Sequence, residues 1–131
     1  MRLRGADRGS AVIEFVLVAP LITLLFVTVA QLALVVHVRA TLVDCAAEGA
    51  RAAALTGGSG ASGVRRAQEL ISADLSPAYA GDVSAGWQVV DGVDTAVVRV
   101  RAPIPVIGLL GAGRVIVVEG HAAVEGPGAS G

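Results

Sequence analysis

GSAVIEFVLVAPLITLLFVTVAQLALVVHV, from Gly9 to Val38, is the stretch whose reading decides the fold. It holds one acid, Glu14, and then no charged side chain before Arg39. Its uncharged part, Phe15–Val36, is 22 residues long. At about 1.5 Å per residue, a helix of that length crosses a hydrocarbon layer about 30 Å thick. The stretch reads as a single transmembrane helix, with everything after it delivered to one side of a bilayer.

Composition agrees. Of 131 residues, 54% are hydrophobic, and mean hydropathy is +0.73. Beside the span there is room for one small domain. Aromatic residues make up only 3%, so a core must come from Val, Leu, Ile and Ala. All ten basic residues are Arg, scattered through a chain of net charge −1, which leaves no electrostatic footprint for nucleic acid. Cys45 has no second cysteine to pair with in the chain and reads as a small buried residue, pairing between chains being the alternative.

Arg2, Arg4 and Arg8 precede the span and are offset only by Asp7, whereas Arg39 and Arg51 beyond it are mixed with Asp44 and Glu48. This asymmetry places the N-terminus in the cytoplasm and the C-terminal domain outside it. A secretory signal has a similar basic start, but its apolar core is about 7–15 residues, shorter than this one. Around Ala30 and Ala33 there is no small-x-small cleavage site. Pro20 removes one backbone donor within the span and predicts a bend there.

With no Pro or Gly from Gln31 to Glu48, the same helix is expected to continue to about Ala54. Leu42, Ala46, Gly49, Ala50 and Ala53 fall on one face, small enough for close approach by a packed element. His37, Thr41, Asp44, Glu48 and Arg51 fall on the other, which reads as a solvated face with a Glu48–Arg51 pair rather than a metal site. TGGSGASG, Thr56 to Gly63, has the composition of a flexible loop. Val64, Ala67, Ile71 and Leu75 then recur at helical spacing, predicting a short amphipathic helix closed by Ser76-Pro77. Ala78 to Gly86 reads as a connection.

From Trp87 the period becomes two. Gln88–Val90 lead into Asp91-Gly92, a hairpin signal. Ala96, Val98, Val100 and Ala102 then alternate with Val97, Arg99 and Arg101. In the last run, Arg114 to Val124, Ile116, Val118, Gly120, Ala122 and Val124 share a face opposite Glu119, His121 and Glu125. The expected architecture is α+β: the long helix, the short one, and a small antiparallel three-stranded sheet covered by the small-residue face of the first helix. Ile104, Val106, Ile107, Leu109 and Leu110, in the link before the last strand, either plug the end of the core or touch the membrane surface or a partner.

No phosphate loop, Cys-x-x-Cys or placeable Ser-His-Asp set is present, and His37 and His121 lie in separate elements. The sequence therefore names no catalytic residue, metal ligand or cofactor. The informative residue is Glu14. An ionisable group at the edge of a span is costly to bury and points to function, unless the helix N-terminus and nearby water accommodate it.

A basic leader ending in Gly9, then Ser10-Ala11-Val12-Ile13, then Glu14-Phe15 opening an apolar helix, resembles a prepilin processing site. More closely, it resembles the TadE-like pseudopilins of tight-adherence pilus systems. Pro20, the segment DCAAEGARAAA (Asp44–Ala54) and the closing strand RVIVVEGHAAVEG are similar to that family as well. The resemblance implies a pilin-like fold and cleavage between Gly9 and Ser10 by an integral-membrane prepilin peptidase. It further implies that Glu14 becomes the fifth residue of the mature chain and pairs with the free amine of a neighbouring subunit, with Phe15 beside it. Two opposite charges withdrawn from water together cost less than either alone, and their pairing fixes the stagger between adjacent helices.

The expected organisation is a basic leader over 1–9, a transmembrane helix over 10–38, an extracytoplasmic α+β domain over 39–125 and a disordered tail over 126–131. The expected role is non-enzymatic: assembly of a tight-adherence, type IVb-like pilus or related secretion machinery. Its partners would be the membrane, a prepilin peptidase, and other pilins, pseudopilins and assembly proteins. The alternatives are an unprocessed single-pass anchor carrying an extracytoplasmic binding domain, and a membrane enzyme using His37, Asp44 and Glu48.

Overall fold

Arg2–Ala54 form one continuous helix, α1, with Pro20 inside it. The computed structural model describes residues 2–55, 58–105 and 114–124, with side chains from Arg8 onward. The chain divides into two compact units, Met1–Leu34 and Val35–Gly131.

In the first unit α1 exposes its large apolar side chains, among them Val12, Phe15, Leu21, Phe26 and Leu32. By length and composition, α1 from Arg8 onward is apolar enough to cross a membrane, and its most apolar window has no buried residue. Thr23 and Thr28 donate their hydroxyls to the carbonyls of Ala19 (2.8 Å) and Leu24 (2.7 Å), so neither carries an unsatisfied polar group into the apolar run. The expected basic leader over 1–9 is not separate from the span in structure, because the helix starts at Arg2. Extending a helix already nucleated beyond Gly9 costs far less than starting one, and Arg, Leu and Ala favour it.

The second unit contains the rest of α1, then α2 (Gly60–Asp74), a 3₁₀ turn (Pro77–Tyr79) and the strands β1 (Asp82–Val90), β2 (Val93–Pro103) and β3 (Val115–Ala123). The strands form an antiparallel meander in the order β1-β2-β3. At the hairpin tip, Asp91 and Gly92 have φ of 51° and 80°, the pair of left-handed residues a two-residue type I′ turn requires. The register sets Val98 opposite both Ala85 and Gly120, and Val100 opposite Val83 and Val118. Period-two alternation then gathers Ala96, Val98, Val100, Ala102, Ile116 and Val118 on one buried face.

The expected small-residue face of α1 covers that layer, with Leu42, Ala46 and Ala50 fully buried. Val38, Cys45 and Ala54 are buried beside them. Ala67 and Ile71 of α2 complete the core. Glycine makes the approach possible. A Cβ on Gly49 would lie 2.7 Å from the Gly63 carbonyl oxygen and 2.9 Å from Ala67 Cβ, so α1 and α2 touch backbone to backbone. A Cβ on Gly120 would fall within the α1 backbone at Ala46 and Ala47.

Two expectations need correction. Thr56 to Gly63 is not a loop throughout, because α2 begins at Gly60. Ser59 and Ser62 form a reciprocal cap: the Ser62 amide donates to Ser59 Oγ (3.1 Å) and the Ser59 amide to Ser62 Oγ (2.9 Å). Two orphan donors are thereby satisfied, which offsets the glycines of the first turn. Ala78 to Gly86 is likewise not a plain connection, since it holds most of the 3₁₀ turn and the first five residues of β1. Val83 and Ala85 pack inward there against the core. Thr56, Gly57, Val106, Ile107, Leu109, Leu110, Glu125 and the tail 126–131 lie outside the described residues.

Candidate functional site

The four residues singled out by sequence, Gly9, Ser10, Glu14 and Phe15, all lie on α1 and are exposed. Four residues separate Ser10 from Glu14, so they occupy one helix face a turn apart. Phe15 is 72% exposed and makes no core contact. Glu14 forms no ion pair among the described residues. It is the one charge in α1 between Arg8 and Arg39.

Gly9 is distinguished by what does not surround it. A Cβ there would meet nothing within 4 Å, in contrast to Gly49, Gly63 and Gly120, whose missing side chains are required by neighbouring backbone. Gly inside a helix costs about 1 kcal/mol relative to Ala. Nothing in this chain's own packing offsets that cost at Gly9.

Elsewhere several polar groups are engaged with one another. On the solvent face of the sheet, Arg99 Nε donates to Glu119 Oε1 at 2.7 Å, and His121 Nε2 lies 3.7 Å from Glu119 Oε2. Arg101 Nε lies 3.9 Å from Asp82 Oδ2. On α1, Glu48 pairs with Arg51 as expected, and the Thr41 hydroxyl donates to the His37 carbonyl at 3.0 Å. Among the described residues, no three His, Cys, Asp or Glu side chains gather where they could hold a metal ion. Cys45 is a free, buried thiol. Burial pushes its pKa up, and the charges of Asp74 and Asp44 push it further, so the reactive thiolate is disfavoured.

One feature was not singled out by sequence. Gly86, inside β1, leaves a depression of about 280 Å³ on the solvent face, lined by Ser84, Gln88, Val97 and Arg99. Its signal was a glycine within an alternating strand. It brings together no acid–base pair.

No curated protein and no solved structure matches the chain. The family model for TadE-like proteins matches residues 9–51, so over the stretch that holds Gly9, Ser10, Glu14, Phe15 and most of the helical cover of the sheet, this chain is similar to TadE-like proteins, in agreement with the resemblance read from its sequence.

Proposed function

We propose that this protein is a minor pseudopilin that acts in assembly of a tight-adherence pilus or a related secretion machine, and that its work is structural rather than enzymatic. Its N-terminus is cytoplasmic and its α+β domain extracytoplasmic. A prepilin peptidase cuts between Gly9 and Ser10. The new amine at Ser10 and the Glu14 carboxylate then form the charged pair that links neighbouring subunits.

The observation that carries this reading is the exposed Glu14, which has no ion pair among the described residues and is the one charge on α1 between Arg8 and Arg39. A carboxylate held at the centre of the apolar layer costs about 2.5–3.5 kcal/mol on insertion scales, and a partner amine lowers that cost. Gly9 adds support, because a glycine with no packing reason in its own chain fits a requirement set by another protein's cleft.

The test is the intact mass of membrane-extracted protein from cells that carry the matching peptidase. Wild type is expected to lose Met1–Gly9. Gly9→Leu should retain them while still inserting. Glu14→Gln should be processed yet fail to associate with pilus subunits. A wild-type chain that keeps Met1–Gly9 under these conditions overturns the proposal and favours an unprocessed anchor with an extracytoplasmic binding domain.

A further inference from the structure

Strand β3 runs in the same direction as the helix that covers it. Gly120 lies against Ala46 and Ala47, while Ala122 and Ala123 line one depression together with Arg51, Ala54 and Leu55. Moving back along β3 from Gly120 to Val115 covers about 17 Å at 3.3 Å per residue. The same distance along α1 is about eleven residues. Val115 therefore stands level with Val35–Val36, and Val117 level with Arg39–Ala40. The uncharged run Phe15–Val36 ends at that level.

This end of the sheet has an uneven surface. Val36, Val115 and Val117 are 60%, 48% and 47% exposed. At the same level along the domain, Arg39 and Arg114 are exposed and make no ion pair among the described residues. Arg101, at the same level, is answered by Asp82. Two uncompensated positive charges and three exposed valines thus lie where the apolar run gives way to the folded domain.

We infer that this end of the domain docks on the bilayer surface, with Arg39 and Arg114 bound to anionic phospholipid headgroups and Val115 and Val117 set against the interface. The inference rests on α1 being membrane-embedded, as proposed above, but not on cleavage at Gly9. Arginine suits the place because its apolar stem lies along the interface while its guanidinium reaches phosphate. Each arginine near an anionic surface shifts the docked population by about fivefold.

The test uses the full chain in a Cys45→Ala background, reconstituted in vesicles of phosphatidylcholine with or without phosphatidylglycerol. A nitroxide is placed through Val115→Cys or, as an aqueous reference, through Asp91→Cys at the hairpin tip. Accessibility to a water-soluble nickel chelate is expected to be several-fold lower at position 115 than at 91 in the anionic vesicles. That protection should fall in vesicles without phosphatidylglycerol and in the Arg39→Gln, Arg114→Gln double variant. Equal accessibility at 115 and 91 in anionic vesicles overturns the inference, as does protection indifferent to both lipid charge and the arginines. A chain retained by the vesicles after an alkaline wash but aqueous at 115 refutes the docking alone. A chain washed off refutes the embedded helix as well.

Discussion

Gly120→Ala should be among the most damaging single-methyl changes available to this domain. The added Cβ would fall among the Ala46 carbonyl and the Ala47 amide atoms, which are backbone and cannot rotate away. Relief requires α1 and β3 to separate by about 1 Å, and a gap of 0.5–1 Å forfeits a quarter to a half of each dispersion contact. The α1 side chains buried against the sheet include Leu42, Ala46 and Ala50. Leu42, the one large side chain among them, supplies about 40–60 atom contacts at about 0.1–0.2 kcal/mol each, so at mid-range the loss comes to about 3 kcal/mol. That is the upper end of the usual cost of overpacking. For a domain of this size it lowers the melting temperature by about 12–24 °C. The assay is thermal unfolding of the full chain in detergent micelles, followed by Trp87 fluorescence, with Gly86→Ala as the matched control. A Cβ on Gly86 meets nothing within 4 Å, so that variant should melt at or slightly above wild type. The reasoning is refuted if Gly120→Ala melts within about 3 °C of wild type, or if Gly86→Ala falls as far as Gly120→Ala.

Ser59→Ala removes the acceptor for the Ser62 amide and should destabilise the domain by about 1 kcal/mol, read as earlier hydrogen exchange across the first turn of α2. Unchanged protection there would show that the cap carries no weight. For Cys45 the direction follows from its raised pKa: above its ordinary value of 9.0 the unfolded thiol ionises while the folded one keeps its proton. Stability contributed by the neutral buried thiol is therefore present below pH 9 and declines as pH rises beyond it. Denaturant melts of wild type and Cys45→Ala between pH 8 and 10, about one unit either side of the ordinary thiol value, should show a steeper alkaline decline for wild type. Parallel slopes would contradict the assignment.

The features read correctly from sequence were those fixed by local pattern. The unbroken helix to Ala54 followed from the absence of Pro and Gly between Gln31 and Glu48 together with a continuous run of helix formers. Asp91-Gly92 announced its turn because few other residue pairs adopt two consecutive positive φ values without strain. The misreadings share one cause. In Gly60–Gly63 and Asp82–Gly86, Gly, Ala and Ser carry so little apolar signal that composition outweighed period, although Ser59 and Ser62 stood at capping spacing and Val83, Ala85, Trp87 and Val89 already alternated.

The chain's own letters determined the apolar helix, the placement of Gly9, Ser10, Glu14 and Phe15 at its start, and the alternating strands. Each is a property of one segment and its solvent, either a run long enough to span lipid or a period that sorts side chains to one face. Tertiary structure alone decided which glycines are structural. Period had placed Gly49 and Gly120 on apolar faces, but only the packed structure shows that Gly49, Gly63 and Gly120 admit neighbouring backbone whereas Gly9 and Gly86 face open space. It also decided that β3 runs parallel to its covering helix, and hence that Arg114 and Val115 come level with Val35–Val36, some eighty residues earlier in the chain. The physical reason is that close approach depends on two surfaces at once, and the second surface comes from a distant part of the chain.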